Sequence, residues 1–136
     1  MAEKTFAIIK PDATTAGHSG QIINIIELNK FSIARMQKMQ LTQEQAQEFY
    51  AVHKERSFFG ELVDYMISGP VIVMALEKEN AIQEWRDLMG ATDPKKAGAG
   101  TLRRMFGTSI GNNATHGSDA PETAKVELQF FFPDLV

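Results

Sequence analysis

Two stretches of the chain carry apolar residues without alternation. Phe6-Ala7-Ile8-Ile9 and Val71 to Leu76 are hydrophobic on both faces, the pattern of central strands buried in a sheet. Pro11-Asp12 ends the first and leaves Lys10 at its carboxyl end, where open sheets place ligand groups. A lysine there also simply finishes a strand by reaching water. Phe31 to Leu41 alternates less cleanly, with Phe31, Ile33, Met39 and Leu41 in phase around Arg35 and Gln37, which predicts a longer, half-exposed strand.

Between these runs the period changes to that of a helix. After a turn at Gly17 and Gly20, Ile22, Ile23, Ile26 and Asn29 predict a helix of roughly 10 residues. Thr42-Gln43-Glu44-Gln45 reads as a capping box, and Ala46, Phe49, Tyr50 and His53 share a face behind it. A tyrosine and a histidine in that setting are ordinarily core residues with satisfied polar tips. Arg56 to Gly60 breaks the helix and restarts it, with Leu62, Val63 and Met66 buried in the second piece. Ser68-Gly69-Pro70 is a turn. Asn80 is expected to cap the next helix, on which Ile82, Arg86 and Met89 fall on one face. An arginine in an apolar stripe needs an anionic partner, whether a ligand or a structural carboxylate.

From Gly90 to Asn113 the pattern dissolves around Pro94, two lysines and glycines at 98, 100 and 107. Loops of that length are usually functional or disordered. Thr101 to Phe106 could form one helical turn bearing Arg103 and Arg104. Asp119-Ala120-Pro121-Glu122 resembles a cap with an early proline, opening a last helix with Ala124, Leu128 and Phe131 inward. Glu127 lies about 60° from Ala124 on a helical wheel, at the edge of that inward face. With a short fourth strand near Thr115-His116, the elements predict an α+β, ferredoxin-like fold. It is a four-stranded antiparallel βαββαβ sheet with helices covering one face, a helical insertion, and a long loop before His116. No repeat, low-complexity segment or linker divides the 136 residues, so one domain over 1–136 is expected.

Composition narrows the chemistry. The net charge is −3, so nucleic acid is not expected as the main partner, and any anion site has to be built locally. Without cysteine there are no disulfides or thiolate metal sites, and His18, His53 and His116 lack the spacing of metal ligands. No apolar stretch approaches the roughly 18 residues of a membrane span. No export signal precedes the first strand, so a cytoplasmic protein is expected and the Asn113-Ala114-Thr115 glycosylation match is taken as accidental. Neither G-x-x-x-x-G-K-[ST] nor a strand followed by G-x-G-x-x-G occurs. What remains is a scatter of cations and hydroxyls outside the core: Lys10, Arg86, Thr92, Arg103 and Arg104. They could hold a polyphosphate with Mg²⁺ bridging its oxygens. His116, framed by small residues, could then accept a phosphoryl group covalently. Its other nitrogen needs an acceptor, for which Glu127 is the nearest carboxylate, with Ser118 holding that carboxylate or a phosphate oxygen.

At this point the chain resembles a known family. Asn113-x-x-His116-Gly117-Ser118-Asp119 resembles the active-site signature of nucleoside diphosphate kinases. The likeness extends to Thr5–Asp12, His53–Phe59, Ser68–Val71, Arg86–Pro94 and Gly100–Arg103. The resemblance implies γ-phosphate transfer from a nucleoside triphosphate to a nucleoside diphosphate, by a ping-pong route through phosphohistidine at His116. It implies Lys10 at the phosphates and ribose, Asn113 at the sugar hydroxyl, Phe58 stacked on the base, and Arg86, Thr92 and Arg103 on the phosphates. Tyr50 would support the lysine and the transferring group, while Glu127 and Ser118 orient the histidine. No protein metal site is implied, since the phosphates hold Mg²⁺. Members are homo-oligomers, and the short carboxyl terminus favours a tetramer over a hexamer. Two departures stand out. Arg104-Met105 replaces a small residue followed by an acidic one, adding a cation near the expected phosphate site, and Trp85 replaces a more usual polar residue. The alternative is a non-catalytic ferredoxin-like domain that binds nucleotides or single-stranded nucleic acid. The expected strand faces lack the aromatic pair such binding uses.

Overall fold

The structure, a computed structural model, describes residues 2–135. Strand β1 (Ala2–Ile9) is followed by a short helix α1 (Pro11–Thr15), α2 (Ser19–Leu28) and β2 (Ser32–Met39). The insertion comprises α3 (Gln43–Phe49), a 3-10 turn (Ala51–His53) and α4 (Phe59–Met66). Then come β3 (Val71–Glu79), α5 (Ala81–Met89), α6 (Leu102–Phe106), β4 (Thr115–Gly117) and α7 (Pro121–Phe131). The strand order β2-β3-β1-β4 is antiparallel throughout, as the ferredoxin-like expectation requires. The two unalternating runs pair in register, Thr5 opposite Leu76 and Ile9 opposite Ile72.

Because successive strand residues point to opposite faces, the central strands feed two apolar layers. Ala7, Ile9, Ile72, Met74 and Leu76 pack beneath the crossover helices, against Ile22, Ile26, Trp85 and Met89. Phe6, Ile8, Val71, Val73 and Ala75 face the other way, against Ala46, Val63, Met66 and Leu128. The expectation of helices over one face therefore describes only the crossover helices. The insertion and α7 cover the second face. Strands hydrophobic on both sides leave no face fit for water, so the second layer is what their composition demands.

Local signals resolve unevenly. The capping box forms in full: Thr42 Oγ1 accepts from Gln45 N and Gln45 Oε1 from Thr42 N. Asn80 does not cap α5 with its side chain; it turns the chain at φ 57°, and Glu3 of β1 accepts the free Ile82 N–H at 3.0 Å. Asp119 does not cap α7 either, because the cap position falls on Ala120 with Pro121 behind it. On α5 the buried stripe is Ala81, Ile82, Trp85 and Met89, and Arg86 is exposed. Positions 82, 85 and 89 fit a helical face as well as 82, 86 and 89 do, and the indole takes the inward place while the guanidinium keeps its solvent.

The long loop is pinned rather than loose. Leu102 is fully buried. Gly90 turns at φ 83° where a Cβ would sit 2.6 Å from Thr101 Oγ1.

Candidate active site

β4 is three residues long, and His116 is its middle residue, opposite Ile8. Just before it, Ala114 holds φ 73°, a left-handed conformation that costs a non-glycine residue roughly 1 kcal/mol. Two backbone bonds fix the bend: Lys10 N donates to Ala114 O at 2.8 Å, and Ala114 N donates to Asp12 Oδ2 at 3.1 Å. The other Asp12 oxygen accepts from the Tyr65 hydroxyl. Asp12 and Tyr65 carry no sequence motif for this role, and α1, the five-residue turn that aims Asp12, is too short to show a helical period.

The His116 ring lies against Phe6, Phe49 and Tyr50, with centroids 6.2, 5.6 and 6.3 Å away. Its Nε2 faces Glu127 Oε1 at 3.1 Å, and Ser118 Oγ donates to the same oxygen at 2.7 Å. An ionised carboxylate only accepts, so the neutral ring carries its proton on Nε2 and leaves the Nδ1 lone pair free. Of the two uses considered for Ser118, its geometry is that of a holder of the carboxylate. Tyr50 is buried, and its hydroxyl has no hydrogen-bond partner among the described residues. Burial first, and the Glu127 charge second, push that phenol well above its usual range, so it stays protonated. No hydrogen bond joins it to Lys10 among the described residues. That lysine instead donates to Asn113 Oδ1 at 2.9 Å, and Asn113 Nδ2 donates to Thr92 O at 3.1 Å. With both amide ends engaged, Asn113 sits behind Lys10 and not on a pocket wall.

Two neighbouring pockets divide the remaining residues. One, of about 840 Å³, is lined by His116, Glu127, Arg86, Thr92, Arg103 and His53 among others. The second, of about 460 Å³, has Lys10, Phe58, Leu62, Tyr65 and Ile110 on its walls. Ile110, 62% exposed, is a wall residue that its loop position hid from the sequence. The Lys10-Asn113-Thr92 chain joins the two pockets. Arg103 spans the loop, donating to Gly90 O at 3.1 Å and Thr115 O at 2.9 Å. Burial and then the Arg86 charge lower its pKa to about 10, so it remains cationic at neutral pH. Lys10 is lowered as well, to about 8, by burial and Arg103, with Asp12 opposing. The cluster is thus crowded with positive charge that an anion would relieve. Arg104 is not on either wall; it donates to Lys95 O at 3.2 Å and braces the Pro94 turn. The expected cation near the phosphates is therefore a loop brace. Trp85 lies beneath His116, its Nε1 donating to the histidine's carbonyl at 3.2 Å.

The chain's relatives are consistent in kind. The profile of the nucleoside diphosphate kinase family matches residues 3–135. Nucleoside diphosphate kinases of Desulfotalea psychrophila and Pelobacter propionicus are 57% and 58% identical, over 98% of this chain and 97% of each relative. The crystal structure of the Aquifex aeolicus nucleoside diphosphate kinase superposes with TM-score 0.95 at 43% identity, covering 99% of this chain and 98% of that one. A Halobacterium salinarum nucleoside diphosphate kinase solved in complex with CDP gives TM-score 0.93 at 36% identity, covering 97% and 88%. Fold and sequence agree along nearly the whole length, and the chain belongs to the nucleoside diphosphate kinase family.

Proposed function

We propose that this protein, acting as one domain, transfers the γ-phosphate of a nucleoside triphosphate to a nucleoside diphosphate in two half-reactions, with His116 carrying the phosphoryl group between them. The observation that supports this most directly is the committed imidazole. Nε2 is engaged by Glu127, whose oxygen Ser118 also holds, and Nδ1 is free to attack. In the first half-reaction the Nδ1 lone pair forms a bond to the γ-phosphorus while the bond to the bridging oxygen breaks, and the nucleoside diphosphate leaves. The positive charge that develops on the ring is met by Glu127. In the second, a terminal oxygen of the incoming diphosphate attacks the same phosphorus and the ring recovers its lone pair.

Arg86, Thr92, Arg103 and Lys10 hold the phosphates, in keeping with their places around the two joined pockets. Tyr50, protonated and packed edge-on against the His116 ring, supports the transferring group from behind that ring. Phe58 stacks on the base in a pocket that Ile110 also lines, and Asn113 acts on the sugar site through the Lys10 ammonium it fixes. The group suited to this cleft is a nucleotide-borne Mg²⁺. The walls supply cations for the phosphates, whose own oxygens would carry the ion. When bound, the ion neutralises part of the β- and γ-phosphate charge.

A homo-oligomer, a tetramer in preference to a hexamer, goes with this reading. The half-exposed edge strand β2, with Met36 51% exposed, supports self-association, and sedimentation of the native protein reads the oligomeric state directly. No described helix is long and apolar enough to cross a membrane. A cytoplasmic site of action, where nucleoside triphosphates are replenished, goes with the same reading.

The test is direct. Incubated with ATP and Mg²⁺, the protein forms an acid-labile, alkali-stable phosphoprotein that any nucleoside diphosphate discharges, and His116→Ala does not. A phosphoenzyme that survives His116→Ala refutes the assignment.

A further inference from the structure

Trp85 is fully buried, yet it is bonded to the strand that bears the reactive histidine. The bond has a particular target. Phe6 and Ser118, and Lys10 and Ala114, are hydrogen-bonded pairs of the β1-β4 ladder. In an antiparallel ladder bonded pairs alternate, which makes Ile8 and His116 the pair between them. A carbonyl has two acceptor sites. The ladder engages one on His116, and the indole N–H engages the other at 3.2 Å.

The contact is also steric. A Cβ on Gly117 would lie 2.4 Å from Trp85 Cδ1 and 2.5 Å from Nε1, so the strand rests directly on the indole edge. On its far side the ring meets Phe31 edge-on, with centroids 6.0 Å apart, which ties it into the core beneath α5. The next residue on the same helix, Arg86, shares a pocket with His116. One helical turn therefore presents a cation to the cleft and fixes the height of the histidine backbone.

We propose that Trp85 is a positioning residue for phosphoryl transfer: its N–H anchors the three-residue edge strand so that the His116 ring sits at a set distance from the phosphate held by Arg86. The inference rests on His116 being the phosphoryl acceptor. A three-residue strand paired with β1 alone in the sheet, and held besides by Arg103 at its first carbonyl, can rock about that ladder at His116, and small errors in approach distance cost heavily in rate. A core aromatic with no such role would be replaceable by any ring of similar volume.

The N–H is what the experiment removes. Trp85→Phe keeps a ring and loses the donor. Replacement of Trp85 by 3-benzothienylalanine keeps the shape and exchanges N–H for sulfur, so it tests the same bond where phenylalanine packs poorly. Each variant is compared with wild type for the single-turnover rate of phosphoenzyme formation at saturating ATP and Mg²⁺, for ADP affinity by calorimetry, and for melting temperature. Phosphorylation is expected to slow about tenfold in both, with ADP affinity within about twofold of wild type. Trp85 is the chain's single tryptophan, so growth of a tryptophan auxotroph on 7-azatryptophan, which keeps ring and N–H, changes this site alone and is expected to leave the rate near wild type. A benzothienyl variant that phosphorylates at the wild-type rate overturns the inference, as does one whose ADP affinity falls in step with its rate. A wild-type protein that forms no phosphoenzyme overturns the assignment of His116, and this inference with it. A normal wild-type phosphoenzyme with unaffected variants overturns this inference alone.

Discussion

Lys10 carries its charge at a cost, because burial and the Arg103 guanidinium bring its pKa down from 10.5 to about 8. Below about pH 8 the lysine is charged in folded and unfolded chains alike, and the folded state bears the whole penalty. As pH rises from about 8 towards 10.5, the folded protein sheds the proton first, so relative to Lys10→Met the wild type gains stability over that window. Nucleotide binding follows the opposite course. With Lys10 at the phosphates as proposed, the free protein loses a binding cation above about pH 8, so ADP affinity is expected to fall there by up to about tenfold per pH unit. Lys10→Arg should flatten the profile. Calorimetry with ADP across about pH 7 to 9.5 decides it, and an affinity flat through pH 9 would contradict the placement of Lys10 at the phosphates. At this scale the sequence was readable where chemistry is local. His116, Glu127 and Ser118 lie within eleven positions and meet as expected. Arg86 and Trp85 were not separable, because a helical period sampled at three or four residues leaves its phase uncertain by one position. The roles of Asn113 and Tyr50 depended on partners far away in the chain, which no local pattern encodes.

Helix α5 begins without a cap of its own, and the consequence is testable at the level of the element. Asn80 turns left-handed and its side chain does not bond the helix, so the first-turn N–H of Ile82 is met by Glu3 from β1. A carboxylate there also complements the helix dipole. Glu3→Ala is expected to cost about 1 kcal/mol in urea unfolding with the slope unchanged, as the loss of a capping acceptor does elsewhere. Glu3→Gln should recover much of it, since an amide oxygen still accepts. A neutral Glu3→Ala would mean that water satisfies the Ile82 N–H equally well. The contrast with α3 explains what the sequence could offer. Thr42 and Gln45 cap within four consecutive residues and were legible; the α5 cap comes from a residue 79 positions away and was not. The strands were legible for a similar reason, since β1 and β3 are buried on both faces and their composition alone declares it. The five-residue α1 has no apolar stripe long enough to show a period, yet it aims Asp12 at the bend before His116.

Across the whole molecule, Lys10 and Asn113 are 103 positions apart and in contact, and their bond joins a pocket walled by aliphatic and aromatic groups to one crowded with cations. On the proposed function the cationic pocket takes the phosphates. The base falls to the apolar one, whose composition sets how selectively it binds. Phe58, Leu62, Tyr65 and Ile110 dominate its walls, with Glu61 and Asn112 as the polar side chains besides Lys10. A base stacked on Phe58 is recognised by its face, which every base possesses, and stacking of this kind contributes roughly 1–3 kcal/mol without regard to sequence. Strong discrimination would require buried groups bonded to one base's edge and left unpaired by the others. Yet Phe58 is 46% exposed and Ile110 62%, so a base edge there remains in water and mismatches cost little. ADP, GDP, CDP and UDP are therefore expected to bind within about tenfold of one another, and Phe58→Ala to weaken all four by a similar factor. Calorimetric titration of the four diphosphates into both proteins measures this. A preference above about 100-fold for one base, or a Phe58→Ala loss confined to purines, would place the base against polar groups elsewhere in the cleft.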